Sequence, residues 1–231
     1  VVAQWEAKEY ILEQIKARNT TFTVVHRTQR YYDGYSIDLA LEAMKHTGVP
    51  NEGDYLMKQF KNISYQGNYS YVGGGFNLSV TYTITYFTTA QQEALVDEAV
   101  NELLSYFDFS SSSDYEKIYT IYRWICDNVE YDYFGQDLLK HSAYSAIIDG
   151  KAVCQGYAVL FYRLMLELGI DCRVISGVSG DERHAWNIVK LGGVYYNVDA
   201  TWDAGSAYYD FFLKTDADFS VNNGPFSNVF S

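Results

Sequence analysis

The spacing of apolar and polar positions in the first half of the chain predicts helices and strands in alternation. Apolar residues in 5–18 share one helical stripe, and 37–44 has the pattern of a shorter helix. Residues 21–26 and 77–88 alternate with period two, and the second run is rich in Val, Ile, Thr and Tyr. Residues 89–107 return to helical spacing. We therefore expect a mixed α+β region here.

The second half carries stronger patterns. Residues 115–129 form an amphipathic helix, and 154–168 are so nearly apolar that this second helix should be buried. Strands are expected over 172–178, 184–191 and 194–202. A short polar break lies at 110–113. We therefore divide the chain into an N-terminal α+β region of unknown role, 1–110, and a C-terminal domain, 111–231.

The last two strands should form a hairpin, because the Gly-Gly pair at 192–193 is typical of a two-residue turn. In that register Leu191 faces Val194, and His184 and Asp199 share one face as diagonal neighbours. Diagonal neighbours are about 7–8 Å apart, which is within reach of a side-chain hydrogen bond. A carboxylate at this position would orient the imidazole and stabilise its charged form.

Cys154 opens the buried helix after a glycine-containing turn. The positive end of a helix dipole stabilises a thiolate, and the first-turn amides lack intrahelical acceptors, so they can hold an oxyanion. A cysteine at a helix start, a histidine on a strand and an aspartate on the next strand are the parts of an activated nucleophile. The pattern therefore predicts a catalytic triad of Cys154, His184 and Asp199.

Three blocks around these residues, GKAVCQGYA, HAWNIV and NVDATWD, resemble the transglutaminase-like superfamily, and more narrowly its bacterial, often secreted, members. The segment YEKIYTIYRWICDNVEYD resembles the helix before the cysteine in that group, so the likeness covers roughly residues 113–214. The resemblance implies a papain-like fold, in which a helix carrying the cysteine packs against an antiparallel sheet carrying the histidine and the aspartate. It makes Cys154 the nucleophile, His184 the base and Asp199 the orienting acid.

Weaker candidates surround the triad. Gln155 follows the cysteine, and its side chain could hold the helix start. Tyr144 lies ahead of the motif, where a second oxyanion donor could come from. Trp186 shares the predicted face of His184 and could form one wall of the substrate groove. For Trp202 we expect only a packing role.

The resemblance implies thiol-dependent acyl transfer at amide or peptide bonds, with a protein or peptide as the substrate. Transfer to water, as in a cysteine protease, is the favoured reaction, and transfer to a lysine amine, as in a protein-crosslinking transglutaminase, is the alternative. A different alternative is a non-catalytic cell-surface binding module with a vestigial triad. In that case the aromatic strand of the first half would dock a cell-wall or cell-surface partner.

Composition narrows the range of functions. The 231-residue chain has a formal net charge of −12, which argues against the basic face that nucleic-acid binding requires. No apolar run approaches the ~18 residues of a spanning helix, so no membrane span is expected. Aromatic residues make up 17% of the chain, with 23 tyrosines, and this acidic, tyrosine-rich composition favours an extracellular or cell-surface location.

The three cysteines do not form a disulfide framework. We expect Cys126 and Cys172 to be buried free thiols, with a disulfide between them as the alternative. The three cysteines and four histidines also lack the spacing of metal ligands, so neither a metal nor another cofactor is expected.

Overall fold

The computed structural model describes residues 1–223, which divide into two compact units. The first unit holds residues 1–47 and 51–90, and the second holds 48–50 and the chain from 91 onward. This division lies earlier than the predicted one at 110/111, because the helix after residue 90 joins the second unit, where Asp97 accepts a hydrogen bond from Arg163 at 2.8 Å. Residues 224–231 of the predicted C-terminal domain lie outside the described part.

The first unit combines three helices with an antiparallel sheet of order β1-β3-β2. Its elements are α1 (Gln4–Lys16), β1 (Thr21–Thr28), α2 (Tyr35–Ala43), α3 (Asp54–Met57), β2 (Phe60–Val72) and β3 (Gly75–Tyr86). The predicted helices and strands of this region are therefore present. Strand β2 was not predicted, because almost all of its residues are exposed and its sequence lacks the apolar alternation of a half-buried strand.

One face of this sheet is buried because the side chains of β1 alternate between core and solvent. Phe22 of β1 lies in the core, where its ring meets the ring of Tyr10 from α1 at 6.3 Å. Tyr82 of β3 is fully buried and donates its hydroxyl to the carbonyl of Ser36 in α2 at 2.7 Å. Helices α1 and α2 thus cover the apolar face of the sheet.

In its described residues, the second unit contains α4, which begins at the unit boundary, four further helices and two small sheets. Its elements are α4 (Ala90–Tyr106), α5 (Asp114–Asn128), β4 (Glu130–Tyr131), β5 (Lys151–Ala152), α6 (Cys154–Glu167), β6 (Cys172–Ser179), β7 (Glu182–Leu191), β8 (Val194–Val198), α7 (Ala200–Asp203) and α8 (Asp216–Asn223). A 3₁₀ turn spans Leu138–His141 and a π-helical turn spans Ser145–Asp149. Within residues 1–223, no helix is both long and apolar enough to cross a membrane.

Helix α6 is the centre of the second unit, as its apolar sequence predicts. Its residues from Gly156 to Leu166 are all buried, between α5 on one side and the antiparallel sheet β6-β7-β8 on the other. Helix α5 begins with a capping box, in which Ser113 and Glu116 each bond the main-chain amide of the other. The α+β class is confirmed, with a cysteine-bearing helix packed against an antiparallel sheet.

The β7–β8 hairpin has the predicted register, because Leu191 pairs with Val194 across the Gly-Gly turn. The predicted end of the last strand at residue 202 is wrong. Strand β8 ends at Val198, and Asp199 becomes the N-cap of α7 by accepting hydrogen bonds from the main-chain amides of Thr201 and Trp202. An aspartate that bonds the amides two and three residues ahead favours a helix start over a continued strand.

Candidate active site

Cys154 is the first residue of α6, and it is only half buried. The preceding residue, Val153, donates its amide to the carbonyl of Lys140 at 3.0 Å, which ties the helix start to the 3₁₀ turn. The amide of Cys154 is among the four at the start of a helix that have no intrahelical acceptor. The structure thus brings the thiol and the main-chain amide of Cys154 together at the start of a helix, as the sequence predicts.

Gly156 allows this helix start to approach its neighbours closely. A Cβ atom at this position would lie 2.6 Å from the Cβ of Ala152, 2.9 Å from the carbonyl oxygen of Lys140 and 3.0 Å from that of Ser142. Two of these contacts are main-chain atoms, which cannot move aside without shifting the turn. The glycine therefore sets the depth at which Cys154 sits.

His184 lies on β7 and points toward Cys154 and Asp199. Its Nε2 atom is 2.5 Å from Oδ2 of Asp199, and the imidazole also forms a hydrogen bond with the Cys154 thiol. Because Asp199 occupies Nε2, the other ring nitrogen, Nδ1, is the one left for the thiol. The three predicted triad residues are therefore brought together, in the order thiol, imidazole, carboxylate.

The carboxylate of Asp199 is buried, with 1% of its side chain exposed. Its Oδ1 atom accepts the amides of Thr201 at 3.1 Å and Trp202 at 3.4 Å, and Oδ2 faces the imidazole. Its predicted position inside a strand is wrong, but the N-cap geometry still aims the carboxylate at His184. Three partners around two oxygens hold the acid in one orientation.

The protonation state of the pair follows from these contacts. Burial lowers the pKa of His184, but hydrogen bonds to Asp199 and Cys154 outweigh burial and raise the pKa to about 10. Burial raises the pKa of Asp199, and the bonds from His184 and the two main-chain amides oppose that rise. Because the two amides favour the ionised form of the carboxyl group and the pKa of His184 is raised, we assign the shared proton to the imidazole. An imidazolium thus stands beside Cys154 at neutral pH.

Trp202 makes a second contact with the same imidazole. Its indole Nε1 atom lies 2.7 Å from Nε2 of His184, and the two rings meet edge to face with centroids 5.7 Å apart. An indole N–H only donates, so it can bond Nε2 only when that nitrogen carries no proton. The bond from Trp202 therefore competes with the bond from His184 to Asp199.

A cleft of about 500 Å³ opens onto this arrangement. Aromatic and polar side chains line it, among them Tyr131, Tyr133, Lys140, His184, Thr201 and Trp202, together with Val153, the residue before the cysteine. Tyr133 and Trp202 are 76% and 47% exposed, so the aromatic walls are accessible to a ligand. The cleft is large enough for part of a polypeptide.

The weaker candidates have other surroundings. Trp186 does not wall the cleft, because it is 2% exposed and packs between His184 and Phe219 of α8. Gln155 donates its side-chain amide to the carbonyl of His141 at 3.3 Å, which fits a role in holding the helix start. Tyr144 is half buried next to the π-helical turn and is not among the residues that line the cleft.

Sequence reasoning missed two parts of the cleft. It assigned Trp202 to packing, and it named no candidate among residues 131–135. Asp132 shapes that loop by accepting the amides of Phe134 at 3.2 Å and Gly135 at 2.7 Å, which leaves neighbouring aromatic side chains exposed. The run of aromatic residues around one aspartate was the available signal.

The other two cysteines lie inside the second unit. Cys126 and Cys172 are buried and form no disulfide, in agreement with the favoured prediction. The Cys126 thiol contacts the carbonyl of Ala200 at 3.6 Å, and burial raises its pKa. In the described residues no group of three or more His, Cys, Asp or Glu side chains is positioned to hold a metal ion.

Residues 102–200 match the family model of the transglutaminase-like superfamily, a range that contains Cys154, His184 and Asp199. The chain therefore carries a transglutaminase-like domain. The matched range runs from within α4 to the start of α7 and includes the helix, the hairpin and the acid of the candidate site. The narrower likeness to bacterial, secreted members stays a prediction.

The curated relatives that the chain matches come from animals. Kyphoscoliosis peptidase of Mus musculus is 32% identical over 128 residues, which is 49% of this chain and 19% of the relative. Hillarin of Drosophila melanogaster is 31% identical over 107 residues, which is 40% of this chain and 13% of the relative. The chain thus matches about a fifth or less of the length of these relatives. A solved structure of a TGase overlaps 91% of this chain and 61% of its own, with a TM-score of 0.45 and 12% identity.

Proposed function

We propose that the transglutaminase-like domain catalyses cysteine-dependent acyl transfer at amide or peptide bonds, with water as the favoured acceptor. The observation that carries the proposal is the hydrogen-bonded series of Cys154, His184 and Asp199 beside an open cleft. A buried carboxylate that orients an imidazole next to a thiol at a helix start is the arrangement that activates a nucleophile.

The reaction would proceed in two steps. The Cys154 thiolate attacks the carbonyl carbon of the substrate, and the main-chain amide of Cys154 stabilises the oxyanion. His184 gives its proton to the nitrogen of the leaving amine, the C–N bond breaks, and a thioester remains. In the second step His184 takes a proton from water and the resulting hydroxide attacks the thioester. The C–S bond breaks, the acid leaves, and Cys154 returns as a thiolate beside the protonated His184.

The choice of water as acceptor is supported by one relative. Kyphoscoliosis peptidase is named as a peptidase, and its identity to this chain is 32% over 128 residues. The name of the superfamily supports the alternative, in which a lysine amine of a second protein attacks the thioester and a cross-link forms. Both reactions share the first step and differ only in the acceptor.

A single assay separates these possibilities. A disordered polypeptide is incubated with the protein in the presence of a fluorescent primary amine, and products are identified by mass. Hydrolysis gives new carboxyl termini or deamidated side chains, whereas transfer incorporates the amine. The Cys154→Ala variant should give neither product, and Cys126→Ala, which removes a buried thiol, should retain activity. Absence of both products with the unmodified protein, together with a Cys154 thiol no more reactive than the buried ones, would support the non-catalytic binding module.

We further propose an extracellular or cell-surface location, with a protein or peptide as partner. The support is compositional, since the chain combines a net charge of −12 with 23 tyrosines. Fractionation of the producing cells into medium, surface and interior tests this proposal. Recovery of the protein only from the interior would contradict it.

A further inference from the structure

Hydrogen bonds hold the main chain of Asp199 on both sides of its Cα atom. Its amide donates to the carbonyl of Phe211 at 3.0 Å. Its carbonyl accepts the hydroxyl of Tyr122, from helix α5, at 2.9 Å. Neither partner belongs to the hairpin or to the short helix α7.

Asp203 closes these contacts into a ring. Its Oδ2 atom is 2.5 Å from the hydroxyl of Tyr122, so the single hydroxyl proton is shared between this oxygen and the Asp199 carbonyl, and Oδ2 also accepts the amide of Phe211 at 3.0 Å. Its Oδ1 atom accepts the amide of Asp210, also at 3.0 Å. The hydrogen bonds therefore run from Asp199 through Tyr122, Asp203 and Phe211 back to Asp199.

The ring is needed because no regular element fixes Asp199. Strand β8 ends one residue before it, α7 is a single four-residue turn after it, and the φ and ψ angles of Asp199 are −135° and 89°. A ladder or a long helix would restrain the residue through several neighbours. At this position the ring supplies that restraint on the main chain from which the carboxylate projects.

Burying the polar side chains of this hydrogen-bonded ring costs free energy, which argues against a purely packing role. Tyr122 and Asp203 are 0% and 1% exposed, and burial raises the pKa of both side chains. The aromatic side chain of Tyr122 already packs against Phe161 and Phe212, so a phenylalanine at this position would fill the same space. Apolar residues of similar volume serve a core at least as well as a buried polar pair.

We propose that Tyr122 and Asp203 are positioning residues, which hold the main chain of Asp199 so that its carboxylate meets Nε2 of His184. The kinetic consequence rests on the function proposed above, whereas the effect on His184 does not. Neither residue touches the reacting atoms. Both act through Asp199, which in turn sets the orientation and charge of the imidazole.

The test compares two identical substitutions at buried tyrosines. Tyr122→Phe removes the hydroxyl from the ring, and Tyr82→Phe removes a buried hydroxyl that donates to a main-chain carbonyl in the first unit at 2.7 Å. Imidazole signals are followed by NMR from pH 6 to 11. The chain has four histidines, and substitution of His184 assigns its signal. We expect Tyr122→Phe to lower the titration midpoint of His184 by ~1 pH unit or more, since each unit reflects a changed interaction with its partners. Tyr82→Phe should leave the midpoint unchanged.

Kinetics provide the second measurement. If the chain hydrolyses amides, Tyr122→Phe should lower kcat on the order of 10²-fold, the effect of a misplaced catalytic group, with little change in KM. A protein without activity would overturn the proposed function, while the NMR comparison would still decide the positioning role. Activity together with a wild-type His184 midpoint in Tyr122→Phe would overturn the positioning role alone.

Asp203→Ala provides a second variant in case Tyr122→Phe fails to fold. It removes both carboxylate oxygens, so neither the Tyr122 hydroxyl nor the Phe211 amide has an acceptor on residue 203, and the ring must open. We expect the His184 midpoint to fall in this variant too. A wild-type midpoint in whichever of the two variants folds, or an equal fall in Tyr82→Phe, would overturn the proposal.

Discussion

Nε2 of His184 and Oδ2 of Asp199 are 2.5 Å apart, yet only His184 belongs to the sheet. Asp199 caps the short helix that follows β8, and its second oxygen accepts main-chain amides of that helix. The acid is therefore fixed in two directions, toward the imidazole and toward the helix turn. Removing the negative charge of the acid, removing the indole N–H that competes for the imidazole, and crowding the neighbouring backbone should therefore affect the protein in distinct ways.

Cys154 should be the first cysteine to react with iodoacetamide at pH 6.5. The imidazolium of His184, whose pKa is about 10, stands beside the thiol at this pH and stabilises a thiolate. Cys126 and Cys172 are buried, and burial raises the pKa of Cys126. Peptide mass mapping after a short exposure measures the order of labelling. Equal labelling of all three cysteines in the folded protein contradicts this prediction.

Asp199→Asn should leave the fold intact and lower the rate of amide hydrolysis by on the order of 10⁴-fold, the loss known for other triads. The amide carries no charge to balance the imidazolium, and one of its ends donates. Initial rates against an amide substrate measure the effect. Asp171→Asn is the matched control, because Asp171 accepts the hydroxyl of Tyr195 at 2.5 Å near the hairpin turn. A wild-type rate in Asp199→Asn would remove the acid from the mechanism.

The raised pKa of His184 predicts a pH dependence of stability. The folded protein holds this proton more tightly than the unfolded chain, whose histidine has its ordinary value of 6.5. The stabilisation is therefore complete below about pH 6.5 and is lost as the pH rises toward about 10. Urea unfolding at pH 6.5, 8 and 9.5 should show a declining free energy of unfolding, with a weaker decline in Asp199→Asn. An identical decline in both proteins would assign the dependence to other groups.

Trp202→Phe should raise the pKa of His184. The phenyl ring keeps the edge-to-face contact, but the N–H that competes for Nε2 is gone, so the proton bonded to Asp199 is held more firmly. Trp186→Phe is the control, since the indole of Trp186 donates to Asn197 at 3.0 Å while its ring stacks on the same imidazole. NMR titration compares the two variants. A lower or unchanged pKa in Trp202→Phe would rule out the competition.

Gly156→Ala should destabilise the second unit by about 1–3 kcal/mol, the usual cost of overpacking. The new methyl group would lie 2.6 Å from the Cβ of Ala152 and also too close to two main-chain carbonyl oxygens. The double variant with Ala152→Gly removes the first clash and should recover part of the loss. Thermal unfolding of the three proteins measures this. If the double variant recovers no stability, the contacts with the two carbonyl oxygens alone account for the loss.

The parts of the site with a local pattern could be predicted from sequence. The apolar run beginning at Cys154 predicts a buried helix, and the Gly-Gly pair predicts the hairpin register that the structure has. Each feature depends on residues close together in the chain. The roles of the three triad residues remain predictions, although their side chains meet as expected.

The end of the hairpin could not be predicted in the same way. Residues 194–202 have strand-like composition, but the bonds from Asp199 to the two amides ahead of it start a helix. Once the strand stops, Trp202 is free to turn into the cleft. On the other side, Phe219 of α8 covers Trp186, a contact between residues 33 positions apart that no local pattern contains.

The ring around Asp199 has a consequence for the order of folding. Tyr122 is 77 residues from Asp199 and 81 from Asp203 along the chain. Closing loops of that length costs entropy that is regained only when the whole unit has docked. We therefore expect the acid to reach the imidazole late, after α5 and α6 have formed. During the collapsed stages of folding, the thiol of a newly made chain would then lack an oriented imidazole beside it. The thiol would become reactive only when folding is complete.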